Sequence, residues 1–229
     1  MYKHIIFDLD HTLWDFEKNS EETLNELIIE HQLTKLYSID PIDFIRVYRK
    51  TNKHLWNQYN KHQISKEDLR VQRFEIVLEH FSIRDAALSS VLDHEYISRC
   101  PEKGHMIEGA KEILDYLAPN YHLHILTNGF EATQDRKLKG AHIDHYFEQV
   151  ITSETLGIQK PDSRIFDYMI RLAKAKKEEC LMIGDNLHTD IIGAKRAKID
   201  HVFYNPLQIN HDFKVNYQIR KLIELKEIL

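Results

Sequence analysis

Short apolar runs that stop abruptly at an acid, a hydroxyl or a glycine recur along this chain. Residues 2–9 form the first, ending in carboxylates. Residues 122–127, 149–152 and 179–184 repeat the pattern, and residues 201–204 supply a fifth. Runs of this length bounded by polar or Gly turns predict buried strands. Between them lie segments with apolar residues at helical spacing, over 108–118, 162–175 (just after Pro161) and 189–197. Strands alternating with helices predict an α/β fold with a doubly wound parallel, Rossmann-like sheet, which collects ligands at the carboxyl ends of its strands. Residues from about 16 to 103 read differently. They carry helical periodicity and almost no glycine, with helices predicted over 17–31, 41–60, 65–80 and 86–99. Ser65 and Asp68 resemble a capping box with Asp in place of Glu. The expected organisation is a catalytic core of residues 1–15 and 104–229, interrupted by an all-helical cap of residues 16–103.

Composition narrows the function classes. The chain has 229 residues, 42% hydrophobic and 29% charged, with a formal net charge of -5. That balance suits a globular protein, and with no long basic block it gives no electrostatic case for a nucleic-acid polymer or an anionic membrane as partner. The apolar runs are strand-sized, far short of a membrane span. The N-terminus leads directly into a strand and does not read as a signal peptide. Cys100 and Cys180 are the only cysteines; two isolated thiols point to a reduced, cytoplasmic protein. The fifteen histidines are scattered, without paired spacing typical of a zinc site.

Chemistry is concentrated at the strand ends. In an extended strand alternate side chains share a face, so Asp8 and Asp10 can both project near one site. Close carboxylates need a cation or a proton, and magnesium accepts a few hard oxygens. A carboxylate can attack phosphorus, while a second acid protonates the leaving oxygen and later activates water. Thr127-Asn128-Gly129 offers a hydroxyl and backbone N–H groups to phosphate oxygens. Lys160, before Pro161-Asp162, can present a positive charge to a phosphoryl group and to Asp8. Asp185, after Gly184, can complete a metal site, and Asp190 can orient Lys160 or a metal-bound water. Alone, these motifs read first as strand-ending turns, a solvated lysine before a proline and a helix N-cap. Together, in order and each at a strand end, they point to phosphoryl transfer.

These motifs resemble those of the haloacid dehalogenase superfamily: Phe7-Asp8-Leu9-Asp10-His11-Thr12-Leu13, then Leu126-Thr127-Asn128-Gly129, Lys160-Pro161-Asp162, and Gly184-Asp185-Asn186 with Asp190. The helical insert sits where that superfamily places its type 1 cap. The resemblance implies Asp8 as nucleophile and magnesium ligand. It implies Asp10 as general acid and base, ligating magnesium through its backbone carbonyl. Thr127 and Asn128 would bind phosphate, Lys160 would neutralise charge on Asp8 and the phosphoryl oxygens, Asp185 would ligate the metal, and Asp190 would support the metal shell or Lys160. Manganese fits the same hard-oxygen site. The acid at Asp10 resembles the phosphatases and phosphomutases rather than the dehalogenases. Phosphonate cleavage in this superfamily uses a cap lysine, and Lys50, Lys53 and Lys61 read as surface residues.

The insert resembles the pyrimidine nucleotidase branch, which includes phosphatases of noncanonical nucleotides, in Leu55-Trp56-Asn57-Gln58-Tyr59, in Ile64 to Arg70 and in Arg73-Phe74, together with Leu13-Trp14-Asp15. His62-Gln63 departs from it where a glycine is expected before Ile64. Trp56, Tyr59 and Phe74 read first as helix packing and second as a wall for a base, and Arg70 and Arg73 as solvated charges. The resemblance thus implies a magnesium-dependent 5′-nucleotidase acting through an aspartyl phosphate on a small metabolite, a nucleoside monophosphate. The alternatives are a phosphatase of another metabolite such as a sugar phosphate, a phosphomutase, and a nucleotide-binding protein without turnover.

Overall fold

The structure of the chain, a computed structural model, describes residues 1–229. It comprises two compact units, Met1–Phe16 with Lys103–Leu229, and Glu17–Glu102. In chain order, β1 (His4–Phe7) is followed by α1 (Phe16–Glu30), α2 (Leu33–Tyr37), α3 (Pro41–Asn60), α4 (Lys66–His80) and α5 (Ala86–Arg99). Then come α6 (Ala110–Leu117), β2 (His122–Thr127), α7 (Glu131–Gly140), β3 (Phe147–Thr152), α8 (Ser153–Leu156) and α9 (Ser163–Leu172). The chain closes with β4 (Cys180–Gly184), α10 (Ile192–Ala197), β5 (Asp200–Tyr204) and β6 (Tyr217–Ile219). No helix is long and apolar enough to cross a membrane.

The six strands form one parallel sheet in the order β3-β2-β1-β4-β5-β6. Every residue of β1 and β4 is buried, as expected for central parallel strands covered on both faces. The chain steps from β1 outward to β3, then returns to β4 on the other side of β1. The strand order therefore reverses at β1/β4, where a parallel sheet opens a crevice at its carboxyl end. Beneath it, Ile6, Leu126, Ile151 and Met182 from the sheet pack against Ile165, Phe166, Met169 and Ile170 of α9 and Ala194 of α10. Each such buried large side chain contributes about 1.5–3 kcal/mol. This packing fixes where α9 begins, and so where Lys160, three residues ahead of it, can reach.

The helical unit is built on strong local signals. Asp40 caps α3 by accepting from the N–H groups of Ile42 and Asp43, with Pro41 in the first turn. Ser65 and Asp68 form a reciprocal capping box on α4, and Asp85 caps α5 through Leu88. Phe74 is buried against Tyr48 and Tyr96, with ring centroids 5.3 and 5.8 Å away. Trp56 and Tyr59 form a half-buried edge-to-face pair at 5.5 Å. Arg73 departs from the sequence reading. It is buried, paired with Asp93 at 2.6 Å and set over the Tyr96 ring at 4.9 Å. A long side chain on an otherwise apolar helix face has carried its charge inward to a partner on the next helix. Arg70 remains 43% exposed, 3.8 Å from the same carboxylate. Lys50, Lys53 and Lys61 are exposed.

Other elements also differ from the sequence reading. The segment predicted as one helix over 189–197 is a π-helical turn, Leu187–Ile191, leading into α10. The edge strand β6 carries only one buried residue, Ile219, too weak a pattern to signal a strand. Helix α7 escaped periodicity altogether, because two of its three buried residues are Gln134 and Lys137.

Candidate active site

Asp8 directly follows β1, and its N–H bonds the Ile183 carbonyl of β4 at 2.9 Å, which continues the sheet register to the carboxylate. Thr127 ends β2, and Asp185 follows Gly184 at the end of β4. The turn after Asp10 is tight. The N–H groups of Leu13 and Trp14 both reach the Leu9 carbonyl at 2.9 Å, and His11 adopts a left-handed φ of 62°, a conformation in which His is enriched.

Lys160 is the centre of the first cluster. It is 1% exposed, and its ammonium donates to Asp8 Oδ1 at 2.7 Å, Asp190 Oδ1 at 2.7 Å and the Leu126 carbonyl at 2.6 Å. An ammonium has three protons, so all are satisfied. Burial alone would discharge this amine, but the two carboxylates outweigh it and hold it protonated. Asn128 positions the same segment. Its carboxamide accepts from Lys160 N at 2.8 Å and donates to Lys160 O at 3.0 Å. That side chain is therefore engaged with the Lys160 backbone.

Asp190 is fully engaged. Oδ1 also accepts from the Thr189 hydroxyl at 3.2 Å and Oδ2 from the Asn186 N–H at 3.0 Å. Asn186 in turn caps the π turn through the N–H groups of His188 and Thr189. The Asp190 carboxylate that meets Lys160 is thus itself held by two further donors. A Cβ at Gly184 would lie 2.2 Å from Asp190 Oδ2, so only glycine admits this approach. Gly184→Ala is expected to displace Asp190 and to lower stability by about 1–3 kcal/mol, measurable by urea unfolding at pH 7.5.

Asp8, Asp185 and Asp190 can each present a carboxylate oxygen within 4.8 Å of the others. Three carboxylates face one ammonium there. Burial, opposed by Lys160 and reinforced by Asp190 and Asp185, pushes the Asp8 carboxyl up to about 8. Burial and Asp190 push Asp185 up to about 7. The Thr12 hydroxyl holds Asp185 at 3.2 Å. Such a set, with hard oxygen donors and uncompensated negative charge, fits a divalent cation of the magnesium or manganese kind.

Asp10 belongs to a different environment. Lys137 Nζ donates to its Oδ1 at 2.6 Å, and Gln134 Nε2 to its Oδ2 at 2.9 Å. Gln134 Nε2 also reaches the Thr127 hydroxyl at 2.7 Å, which accepts from Gly129 N as well, at 3.0 Å. Burial works to raise the Asp10 carboxyl, but the Lys137 charge and the two side-chain hydrogen bonds overcome it and hold it below the usual range. Lys137 is itself buried, 4.6 Å from the centre of the Trp14 ring. The two acids of the first motif thus diverge. The Asp8 carboxylate joins the acidic cluster with Asp185 and Asp190, while the Asp10 carboxylate is tied to α7. Gln134, Lys137 and Thr12 are contributors that the sequence reading did not single out. The only signal for the first two is their i, i+3 spacing shortly after the Thr127 motif.

Comparison with known proteins accords with this geometry. A family model described as haloacid dehalogenase-like hydrolase matches residues 2–198. Pyrimidine 5′-nucleotidase PynA of Streptococcus pneumoniae is 35% identical over 213 residues, 92% of this chain and 87% of that protein. A glyceraldehyde 3-phosphate phosphatase of Pyrococcus furiosus is 28% identical over 240 residues, 99% of this chain and 92% of that one. The crystal structure of the HAD-hydrolase YfnB of Bacillus subtilis, bound to magnesium, superposes with a TM-score of 0.85 at 29% identity, over 99% of this chain and 98% of that one.

Proposed function

The chain belongs to the haloacid dehalogenase-like hydrolase family, and on that premise we propose that it is a magnesium-dependent phosphatase of nucleoside 5′-monophosphates. The observation that carries the reading is the opposite tuning of two carboxyls two residues apart. Asp8 is raised and cation-facing, whereas Asp10 is lowered and held by Lys137 and Gln134. Acids pushed apart in this way take different roles.

In the proposed sequence an Asp8 oxygen attacks phosphorus in line with the leaving alcohol. The P–O bond to that alcohol breaks, and Asp10 supplies the proton to the leaving oxygen. The incoming phosphate, itself anionic, opposes the Lys137 field and raises Asp10 so that it can carry that proton. In the second half Asp10 takes a proton from water as the water attacks the aspartyl phosphate, which releases Asp8 and inorganic phosphate. Lys160 neutralises Asp8 and an equatorial phosphoryl oxygen throughout. The Thr127 hydroxyl, with Gln134 and Gly129 as its donors, has its own proton to give to phosphate. Asp8 and Asp185 would hold magnesium together with the Asp10 carbonyl. When bound, the ion offsets their charge and withdraws charge from the phosphoryl oxygens.

Two outcomes follow. Lys137→Met should lower kcat about 100-fold with KM little changed. It should also move the acidic limb of the pH–rate profile upward, since Asp10 loses the cation that keeps it ionised. Magnesium affinity should rise with pH. Burial pushes the Asp8 carboxyl up to about 8 and, with Asp190, Asp185 up to about 7, and the ion must displace their protons. Affinity should therefore climb up to about pH 8 and level off above it, as calorimetry at pH 6, 7, 8 and 9 would read.

The substrate class draws support from the PynA relationship and from the Leu55–Phe74 pattern of the helical unit. A second reading, a sugar or triose phosphate, is favoured by the Pyrococcus phosphatase relationship. Phosphate release from a panel of nucleoside monophosphates and sugar phosphates, with magnesium or chelator, separates them. Metal-dependent release confined to nucleotides is expected, and release mainly from sugar phosphates would overturn the substrate class alone. Both cysteines are buried and free, in keeping with a reduced, cytoplasmic setting.

A further inference from the structure

Gln134 lies on α7, fully buried, with both protons of its amide committed. Nε2 donates to Asp10 Oδ2 at 2.9 Å and to the Thr127 hydroxyl oxygen at 2.7 Å. The other end of the amide, Oε1, makes no hydrogen bond to protein. A half-turn of the carboxamide would present that oxygen to the same two neighbours instead, so its orientation needs a cause. Asp10 supplies it. Its Oδ1 already accepts from the Lys137 ammonium at 2.6 Å, and a carboxylate paired in this way offers acceptors on both oxygens. Asp10 therefore selects the NH2 end of Gln134, and the same NH2 group is what Thr127 meets.

A hydroxyl has one proton and two lone pairs. At Thr127 one lone pair accepts from Gln134 and the other from the Gly129 N–H at 3.0 Å, while its proton goes to no protein atom. With both acceptor positions filled, this hydroxyl can only donate. A reversed Gln134 amide would take the proton for itself and turn the hydroxyl away from a ligand. Gly129 fits the same arrangement. Its φ lies outside the left-handed region, so the turn itself does not require glycine. A Cβ there would stand 2.9 Å from Gln134 Cγ and closer still to the amide. What glycine provides at this position is room for Gln134.

We propose that Gln134 is a positioning residue that fixes the polarity of the Thr127 hydroxyl, making it an obligate donor to an oxyanion at the carboxyl end of β2. The relay runs from Lys137 through the Asp10 carboxylate and the Gln134 amide to Thr127, each member setting the direction of the next hydrogen bond. The ligand atom it favours is an oxygen that only accepts, as on a phosphoryl group or inorganic phosphate; in that respect the inference rests on the phosphatase reading.

The test is calorimetric titration of the full chain with inorganic phosphate in the presence of magnesium, in wild type, Gln134→Met, Thr127→Val and the double variant. Gln134→Met keeps the length of the side chain and removes the donor, and Thr127→Val keeps the shape and removes the hydroxyl. Circular dichroism checks each fold. Thr127→Val should weaken phosphate binding about thirtyfold and Gln134→Met about fivefold. The double variant should bind no more weakly than Thr127→Val, because Gln134 acts only through the hydroxyl. A residue that served the fold alone would add its own loss. If Gln134→Met does not fold, Gly129→Ala displaces the same amide while keeping the hydroxyl, with the same expected loss and the same non-additivity. Additive losses in the double variant, wild-type phosphate affinity in Gln134→Met, or no phosphate binding by wild type would each overturn the proposal. The phosphatase reading fails on a separate measurement, the absence of phosphate release by wild type from any ester of the panel.

Discussion

Asp8→Asn is expected to lower phosphate release by on the order of 10⁴-fold or more, because an amide cannot form the covalent intermediate. The fold should survive. The substitution preserves shape, and the retained oxygen still faces the Lys160 ammonium that now bonds Asp8 Oδ1 at 2.7 Å. The pH dependence of stability offers an independent reading. Burial raises the folded-state pKa of Asp8 to about 8, far above its ordinary value of 3.8. A carboxyl raised on folding favours the native state at low pH, and that contribution is lost as pH rises through the folded value. The metal-free wild type should therefore lose stability between pH 4 and 8, and Asp8→Asn should lose less. Thermal melts at pH 5 and 8, with and without magnesium, measure this alongside the assay. Turnover by Asp8→Asn near the wild-type rate would remove Asp8 as nucleophile.

Lys160→Met should damage both stability and activity. Removing the ammonium leaves Asp8 and Asp190 buried without their shared partner, and breaking a buried pair in this way costs about 3–5 kcal/mol. Phosphate release should fall about a thousandfold, since the charge on the phosphoryl oxygens loses its compensation. Two conditions should restore stability in part. Acidic pH protonates the carboxylates, and magnesium supplies positive charge to Asp8. Lys160→Arg should not rescue, because three acceptors are set around a compact ammonium in a site 1% exposed, and a planar guanidinium does not match them. Urea unfolding at pH 5.5 and 7.5 with and without magnesium decides the matter. An unfolding midpoint equal to that of wild type at pH 7.5 would show that the buried pairs contribute nothing.

The motifs alone point to Asp8 as nucleophile and to Lys160 as its positive partner, but not to the pH dependence or to the stability each substitution costs. The Asp8 and Asp10 spacing reads as two carboxylates sharing one site. The chain instead turns sharply at His11, and each acid meets a different lysine. Lys137 carries no sequence signal because it lies on a polar helix with no apolar stripe. Periodicity detects helices that bury hydrocarbon, and it is silent where the buried face is Gln134 and Lys137. Arg73 departs from its expected exposure for a related reason. Helical spacing shows which face a residue occupies, but not that a carboxylate twenty positions away will meet it inside.

What the sequence determined by itself is local. The apolar runs specify strands, the Asp40, Ser65 and Asp85 caps start helices where they stand, and alternation of strand and helix specifies a parallel sheet with its polar residues at the carboxyl ends. These signals act over a few residues, so they can be read from neighbours. The tertiary structure alone decided which side chains share a hydrogen bond across 152 positions, as Lys160 and Asp8 do, or across 127, as Lys137 and Asp10 do. It also decided how deeply each is buried. The protonation state of a carboxyl depends on burial and on the charges within a few ångströms, and both arise only when the sheet has brought distant strand ends together.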